Sequence, residues 1–174
     1  MRFGNFESPP QEPIGEGDDR KTFVDPTNAE KVISVTKEGA EKDTYLQMKG
    51  RFYLTKIVRA LLPENIPQIY QIGETREGIQ TIDRERIMHT PEHAALQEAR
   101  QYGTEEHEEL AVKQMVKEMG KEMTDIDLKL SELGLDFSID TNVGNYTKDE
   151  TGNVHYLESF KPWEIYYQNP PEIE

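Results

Sequence analysis

The chain has 174 residues, enough for one domain or one with a small appendage, and carries 20 Lys+Arg against 34 Asp+Glu for a net charge of −14. That carboxylate excess argues against a nucleic-acid-binding surface, where each phosphate contact needs a local cation, but leaves room for a small phosphate site. The absence of cysteine excludes disulfides, thiolate chemistry and cysteine-based zinc sites, and Leu, Ile, Val and Phe number only 38, so a modest core is expected.

In chain order, residues 1–13 hold three prolines without periodicity and are expected to be a flexible tail lacking a signal-peptide apolar segment. Ile14–Val24 and Lys31–Lys37 are expected as short strands joined by a turn at Asp25-Pro26-Thr27-Asn28. A helix is predicted over roughly Asp43–Leu62. Leu46, Leu54, Ile57, Val58 and Leu61 form its apolar face, Gly50 weakens its middle and Pro63 ends it. Its basic residues Lys49, Arg51, Lys56 and Arg59 form a solvated face or bind an acidic partner or a nucleotide phosphate. Strands Ile69–Ile72 and Ile79–Ile82 follow.

His89-Thr-Pro-Glu92-His93 matches the inverted zinc-protease spacing, but Pro91 marks a helix start capped by Thr90 and leaves His89 outside. Glu105–Leu133 is the strongest helix. Val112, Val116, Met119, Met123, Ile126, Leu130 and Leu133 recur at steps of 4 and 3, behind Thr104 as N-cap. This stripe is read as core packing, with a coiled-coil seam between two copies as the alternative. Short strands return at Phe137–Ile139, Asn145–Thr147, Val154–Leu157 and Phe160, with a hairpin turn at residues 149–153. Segregated strands and helices predict an α+β fold. Trp163, Tyr166 and Tyr167 precede an acidic tail over 164–174.

Asp140, Asn142 and Asn145 at one turn, with Glu158 beyond the hairpin, place oxygen donors suited to a hard divalent cation. Asp140-x-Asn142-x-Gly144 begins like a calcium loop, but its sixth position is Asn145 and its twelfth Thr151, so a self-satisfied turn is the plain reading. Gly15-Glu16-Gly17 would let backbone amides approach a phosphate, or simply turn a hairpin.

Taken together, these segments resemble the protein-kinase-like fold, including small bacterial kinase-like proteins. Asp140 and Asn145 have the five-residue spacing of that family's catalytic loop, and Glu158-Ser159-Phe160 stands beyond a hairpin where the family has Asp-Phe-Gly. Asn65–Tyr70 resembles the link from the regulatory helix to the next strand, and Ile14–Arg20 the first hairpin. The resemblance covers roughly residues 14–163. It implies a small antiparallel N-terminal sheet with one helix (14–88), packed on an abbreviated, mostly helical lobe (89–163) ending in a β-hairpin. It further implies ATP with Mg²⁺ as ligands. Gly15, Gly17, Ser34 and Lys37 would face the nucleotide, Asn145 and Glu158 would hold metal, and Asp140 would orient an acceptor hydroxyl.

The departures define the expected function. Ser34 stands where the family keeps a strand lysine, the helix lacks an obvious glutamate to pair with it, the His-Arg pair before Asp140 is missing and Glu158 replaces Asp. The expectation is a degenerate nucleotide-binding or regulatory module. The alternatives are an active phosphotransferase using Lys37 and a scaffold without nucleotide. The remaining expectations are a cytoplasmic protein, no nucleic acid or membrane, and a basic protein as possible partner.

Overall fold

The structure, a computed structural model, describes residues 12–75, 78–133, 142–158 and 160. Its elements are strands β1 (Gly15–Glu16), β2 (Arg20–Asp25) and β3 (Asn28–Thr36), helix α1 (Tyr45–Leu61), strands β4 (Ile69–Glu74) and β5 (Gln80–Glu85), helices α2 (Pro91–Tyr102) and α3 (Glu105–Glu132), a 3₁₀ turn (Val143–Asn145), and strands β6 (Tyr146–Lys148) and β7 (Val154–Tyr156). The first five strands make one antiparallel sheet in the order β1-β2-β3-β5-β4, and β6 and β7 make a separate hairpin. The fold is therefore α+β, and no described helix is long and apolar enough to cross a membrane. The expected strand Phe137–Ile139 and the aromatic tail with Trp163, Tyr166 and Tyr167 lie outside the described residues.

The run Ile14–Val24, expected as a single strand, is a hairpin. The Gly17 amide donates to the Arg20 carbonyl at 2.9 Å, and Gly15 pairs with Thr22. The next turn is closed by Asp25, whose Oδ1 accepts from the Thr27 amide at 2.8 Å and the Thr27 hydroxyl at 2.7 Å.

Residues opposite one another in antiparallel strands project from the same face. The row Gly15–Thr22–Ser34–Ile82–Ile72 therefore shares one face. Ile69, Ile72 and Ile82 pack there against Met48 and Phe52, so this is the face that α1 covers. Flanking rows on the same face carry Arg20 opposite Thr36, and Val24–Val32–Arg84.

Helix α1 begins with a capping box in which the Thr44 amide donates to Gln47 Oε1 and the Gln47 amide to Thr44 Oγ1. The side it buries is only in part the one apolar spacing selects, Val58 being buried and Leu54 packed on the α3 core. Met48, Arg51, Thr55 and Val58 are buried, whereas Leu46, Ile57 and Leu61 are 77%, 54% and 53% exposed. Met48 and Phe52 meet Ile69, Ile72 and Ile82 of the sheet, and the buried polar residues are bonded to groups outside it, Arg51 to Asp43 and Thr55 to the Arg51 carbonyl and the Phe160 amide. The four basic residues of α1 accordingly do not form one solvated face.

Helix α3 is capped by Thr104 and buries Ala111, Met115, Met119, Met123, Ile126 and Leu130. The lower part of the expected stripe is buried, but Val116 is 48% exposed and Met115 takes the core position. This core joins α3 to the hairpin through Tyr146 and Tyr156, with ring centroids 5.1 Å apart, and to α1 through Val58. Leu130→Ala is expected to lower stability by about 2–5 kcal/mol and Val116→Ala by less than about 1 kcal/mol in urea denaturation. Equal losses would contradict the packing face assigned to α3.

Candidate functional site

Ser34 is 4% exposed on the α1-covered face, and its hydroxyl shares a 2.9 Å hydrogen bond with Thr22 Oγ1. Gly15 lies beside it in the same cross-strand row, and Gly17 turns the hairpin above. A Cβ at either glycine would meet nothing closer than 4.0 Å, so the chain itself leaves both backbone positions open. Lys37 is placed differently. Strand alternation puts it with Val35 and Lys21 on the opposite face, where its ammonium lies 2.6 Å from Glu16 Oε1. The structure therefore does not bring Lys37 to Ser34 or Glu158.

Asn145 and Glu158 flank the open end of the β6–β7 hairpin. The Leu157 amide donates to the Asn145 carbonyl at 2.7 Å, and the Asn145 amide to that of Asn142 at 2.9 Å. Beside Gly144 lies the Arg100 guanidinium of α2, which a side chain at this position would displace. Glu158 is exposed. Asp140, the expected acceptor-orienting residue, lies outside the described residues.

Three arginines that spacing did not single out as a group converge on the α1-covered face. Arg84 donates from Nη1 to the Leu157 carbonyl, tying β5 to the residue before Glu158. Arg51, 5% exposed, pairs with Asp43 at 2.9 Å, while Asp43 is held by its backbone to the Gln80 side chain. Arg20 stands in the Thr36 row, and its Nη1 is a buried donor with no hydrogen-bond partner among the described residues. Burial pushes the Arg20 guanidinium below its ordinary value. Neighbouring Arg51 and Arg84 push the same way, while Asp43 and Glu158 oppose them. Burial likewise lowers Arg84, with Glu158 opposing. Strand parity was the signal available in the sequence: once the turn at Asp25–Asn28 is set, Arg20, Thr22 and Ser34 must share a face.

This arrangement decides how well a divalent cation fits. Asn145 and Glu158 supply oxygen donors, but the only carboxylate of the two lies within electrostatic reach of Arg20 and Arg84. Among the described residues no three His, Cys, Asp or Glu side chains form a metal-binding group. A cation at Glu158 would face two guanidinium groups, so these residues suit an anion better than Mg²⁺.

A second polar cluster anchors the hairpin to α2. The expected helix start is present, with Thr90 as N-cap and Pro91 in the first turn. His93, 2% exposed, accepts the Lys148 amide at Nε2 over 3.2 Å, and His89 Nδ1 lies 3.2 Å from the Lys148 carbonyl. An Nε2 that accepts an amide cannot carry a proton, so His93 is held neutral. Burial pushes His89 and His93 below their ordinary values; the charges of Arg86 and His155 act the same way on His89, and those of His89 and Lys148 on His93. His155 binds Asp149 at 2.9 Å. Burial alone would raise the Asp149 carboxyl, but hydrogen bonds from His155, Thr151 and Asn153 hold it well below the usual range. Asp83, on the sheet face opposite α1, is pushed up to about 6 by burial and by Asp25.

Compared with models of known protein families and with curated proteins, the chain gives no match.

Two pH effects follow. With His89 and His93 depressed in the fold, the unfolded chain binds more protons below the free histidine value of about 6.5. Stability should be intact above that value and fall as pH drops from 6.5 through the folded values, and His93→Gln should flatten this slope in urea titrations at pH 5 and 7.5. Asp83 acts in the opposite sense. Its folded value is raised, so its contribution is intact below about 4 and lost as pH rises through about 6. Asp83→Asn should raise stability at pH 7.5 by up to about 1 kcal/mol, solvent screening allowed for, and leave it unchanged near pH 4.

Proposed function

We propose that the chain is a degenerate protein-kinase-like module that binds the phosphate end of a nucleotide and serves a regulatory role without efficient phosphoryl transfer. The observation that carries this reading is the fastening of the hairpin exit to the sheet and α1, by Arg84 to the Leu157 carbonyl and by the Phe160 amide to Thr55 Oγ1 at 3.3 Å. This contact sets Glu158 against the face that carries Gly15, Thr22 and Ser34. The element order supports the same reading: three strands, a helix covering the sheet, two strands, two helices of which the second is long, then a 3₁₀ turn and a hairpin.

Transfer in that family relies on a strand lysine paired to a helix glutamate. Here the strand offers Ser34, and the buried charge on the helix is Arg51, bound to Asp43. Lys37, the candidate replacement, is engaged by Glu16 on the other face. The inventory on the covered face thus favours holding phosphate over moving it. The scaffold reading, with basic protein partners selected by the net charge of −14, draws on the same loss of the strand lysine.

A thermal-shift titration with ATP separates these readings. At about tenfold excess over the dissociation constant, mass action contributes roughly 1.4 kcal/mol and raises the midpoint by roughly 3–6 °C for a domain of this size. No shift at millimolar ATP, with or without Mg²⁺, would remove the nucleotide and leave the scaffold. Phosphate release or transfer from bound ATP should stay at the uncatalysed background.

A further inference from the structure

The arginines on the covered face point to a ligand mode that differs from the metal-centred one the resemblance implies. We infer that Arg20 and Arg84, backed by Arg51, bind a polyphosphate directly, in the position that a divalent cation would otherwise occupy beside Glu158. The inference rests on the nucleotide reading above and names how its phosphates are recognised.

Geometry carries it. Arg20 projects from the β2 row beside the Thr22–Ser34 hydroxyl pair, and Arg84 projects from β5 in the row on the other side of that pair. The two guanidinium groups thus bracket a patch floored by two small hydroxyls. Ser34 puts a hydroxyl, bonded to Thr22, where the resemblance would have a cationic lysine, so the positive charge here comes from the arginines. Among the described residues Asp43 and Glu158 oppose the three arginines, with Asp43 paired to Arg51, so this group of five carries one positive charge in excess.

Among the described residues, the buried Arg20 Nη1 has no hydrogen-bond partner. A buried donor left unmade is costly, and an anionic oxygen is the acceptor that best satisfies it. Guanidinium groups present fixed forks that match phosphate oxygens in pairs, and they neutralise developing charge without needing carboxylate ligands of their own. The crowding of Arg20 by Arg51 and Arg84 acts the same way, since an added anion relieves it. Glu158 then plays the reverse of a metal ligand's part. Its carboxylate moderates the arginines in the free protein and repels an incoming phosphate.

The test is isothermal titration of the full chain with ATP, AMP and inorganic tripolyphosphate, in EDTA and in Mg²⁺. ATP should bind in EDTA, tripolyphosphate should compete with it, and AMP should bind at least tenfold more weakly. Glu158→Gln should tighten ATP in EDTA by about three- to tenfold, because a like charge is removed. Arg20→Gln should weaken it by about 10- to 100-fold, the loss of a charge-assisted bond, with circular dichroism confirming that the fold persists. The tightening by Glu158→Gln cannot arise from unfolding, so the pair remains decisive if Arg20→Gln proves unstable. ATP that binds only with Mg²⁺ and is lost in Glu158→Gln would overturn direct recognition while keeping the nucleotide. Tripolyphosphate that binds in EDTA as tightly as ATP, with adenosine adding nothing, would keep the arginine site and overturn the nucleotide. Failure of both anions in both buffers would overturn both.

Discussion

The fold turns on a buried charge that α1 carries toward its own sheet. Arg51 and Asp43 lie together under the strands, Asp43 is clasped by Gln80, and the Thr55 hydroxyl one turn beyond Arg51 receives the Phe160 amide. A buried ion pair adds little net stability against a well-packed apolar substitute, but breaking one partner is costly because the other is stranded. Its value is positional. The polar inner side of α1 has one arrangement that satisfies Arg51, Asp43 and Gln80 together, and that arrangement fixes where Thr55 meets the hairpin exit.

From that contact the rest is ordered by reach. Phe160 stacks toward Tyr156 at 5.6 Å, Tyr156 on Tyr146 at 5.1 Å, and the Tyr146 hydroxyl donates to Asp127 on α3 at 2.5 Å. Val58 and Ile66 enter the same core from the first half of the chain. The small cluster under the sheet and the large one around α3 are therefore joined through α1, whose Met48 belongs to the first and Val58 to the second. A shift of α1 would disturb both cores and the arginine patch at once. A helix so placed is suited to report occupancy of the patch to the rest of the molecule.

Much of the element order was legible in the sequence. The two caps at Thr90 and Thr104, the Asp25 and Asp149 turns and the long helix follow from local chemistry, because a cap or an Asx turn needs only its own neighbours. Facing was less legible. Apolar spacing chose Leu46, Leu54, Ile57, Val58 and Leu61 for the core of α1; Val58 is buried and Leu54 packs on the core, but Leu46, Ile57 and Leu61 are exposed while Arg51 and Thr55, bonded to Asp43 and Phe160, are buried. On α3, Val116 is out and Met115 in. At the candidate site, Ser34, Gly15 and Glu158 were named through the family resemblance. Arg20 and Arg84 could not be picked out as a pair, since their joint position depends on the β3–β5 pairing between segments about fifty residues apart, and register of that kind is set by three-dimensional packing.

The charge of the whole chain and the charge of the patch have opposite signs, and they act over different distances. A net charge of −14 repels an approaching anion from several ångströms outward. Arg20 and Arg84 attract it only once it is within the covered face, where the local dielectric is low and their pull is strongest. Salt screens the first effect more than the second, since exposed charges interact across solvent with a Debye length of about 10 Å at 0.1 M while partly buried ones are shielded much less. Moderate salt should therefore hasten entry of a polyphosphate while weakening its hold only modestly. The usual behaviour of phosphate-binding proteins, in which salt slows association onto a basic surface, is reversed when a basic interior sits behind an acidic exterior.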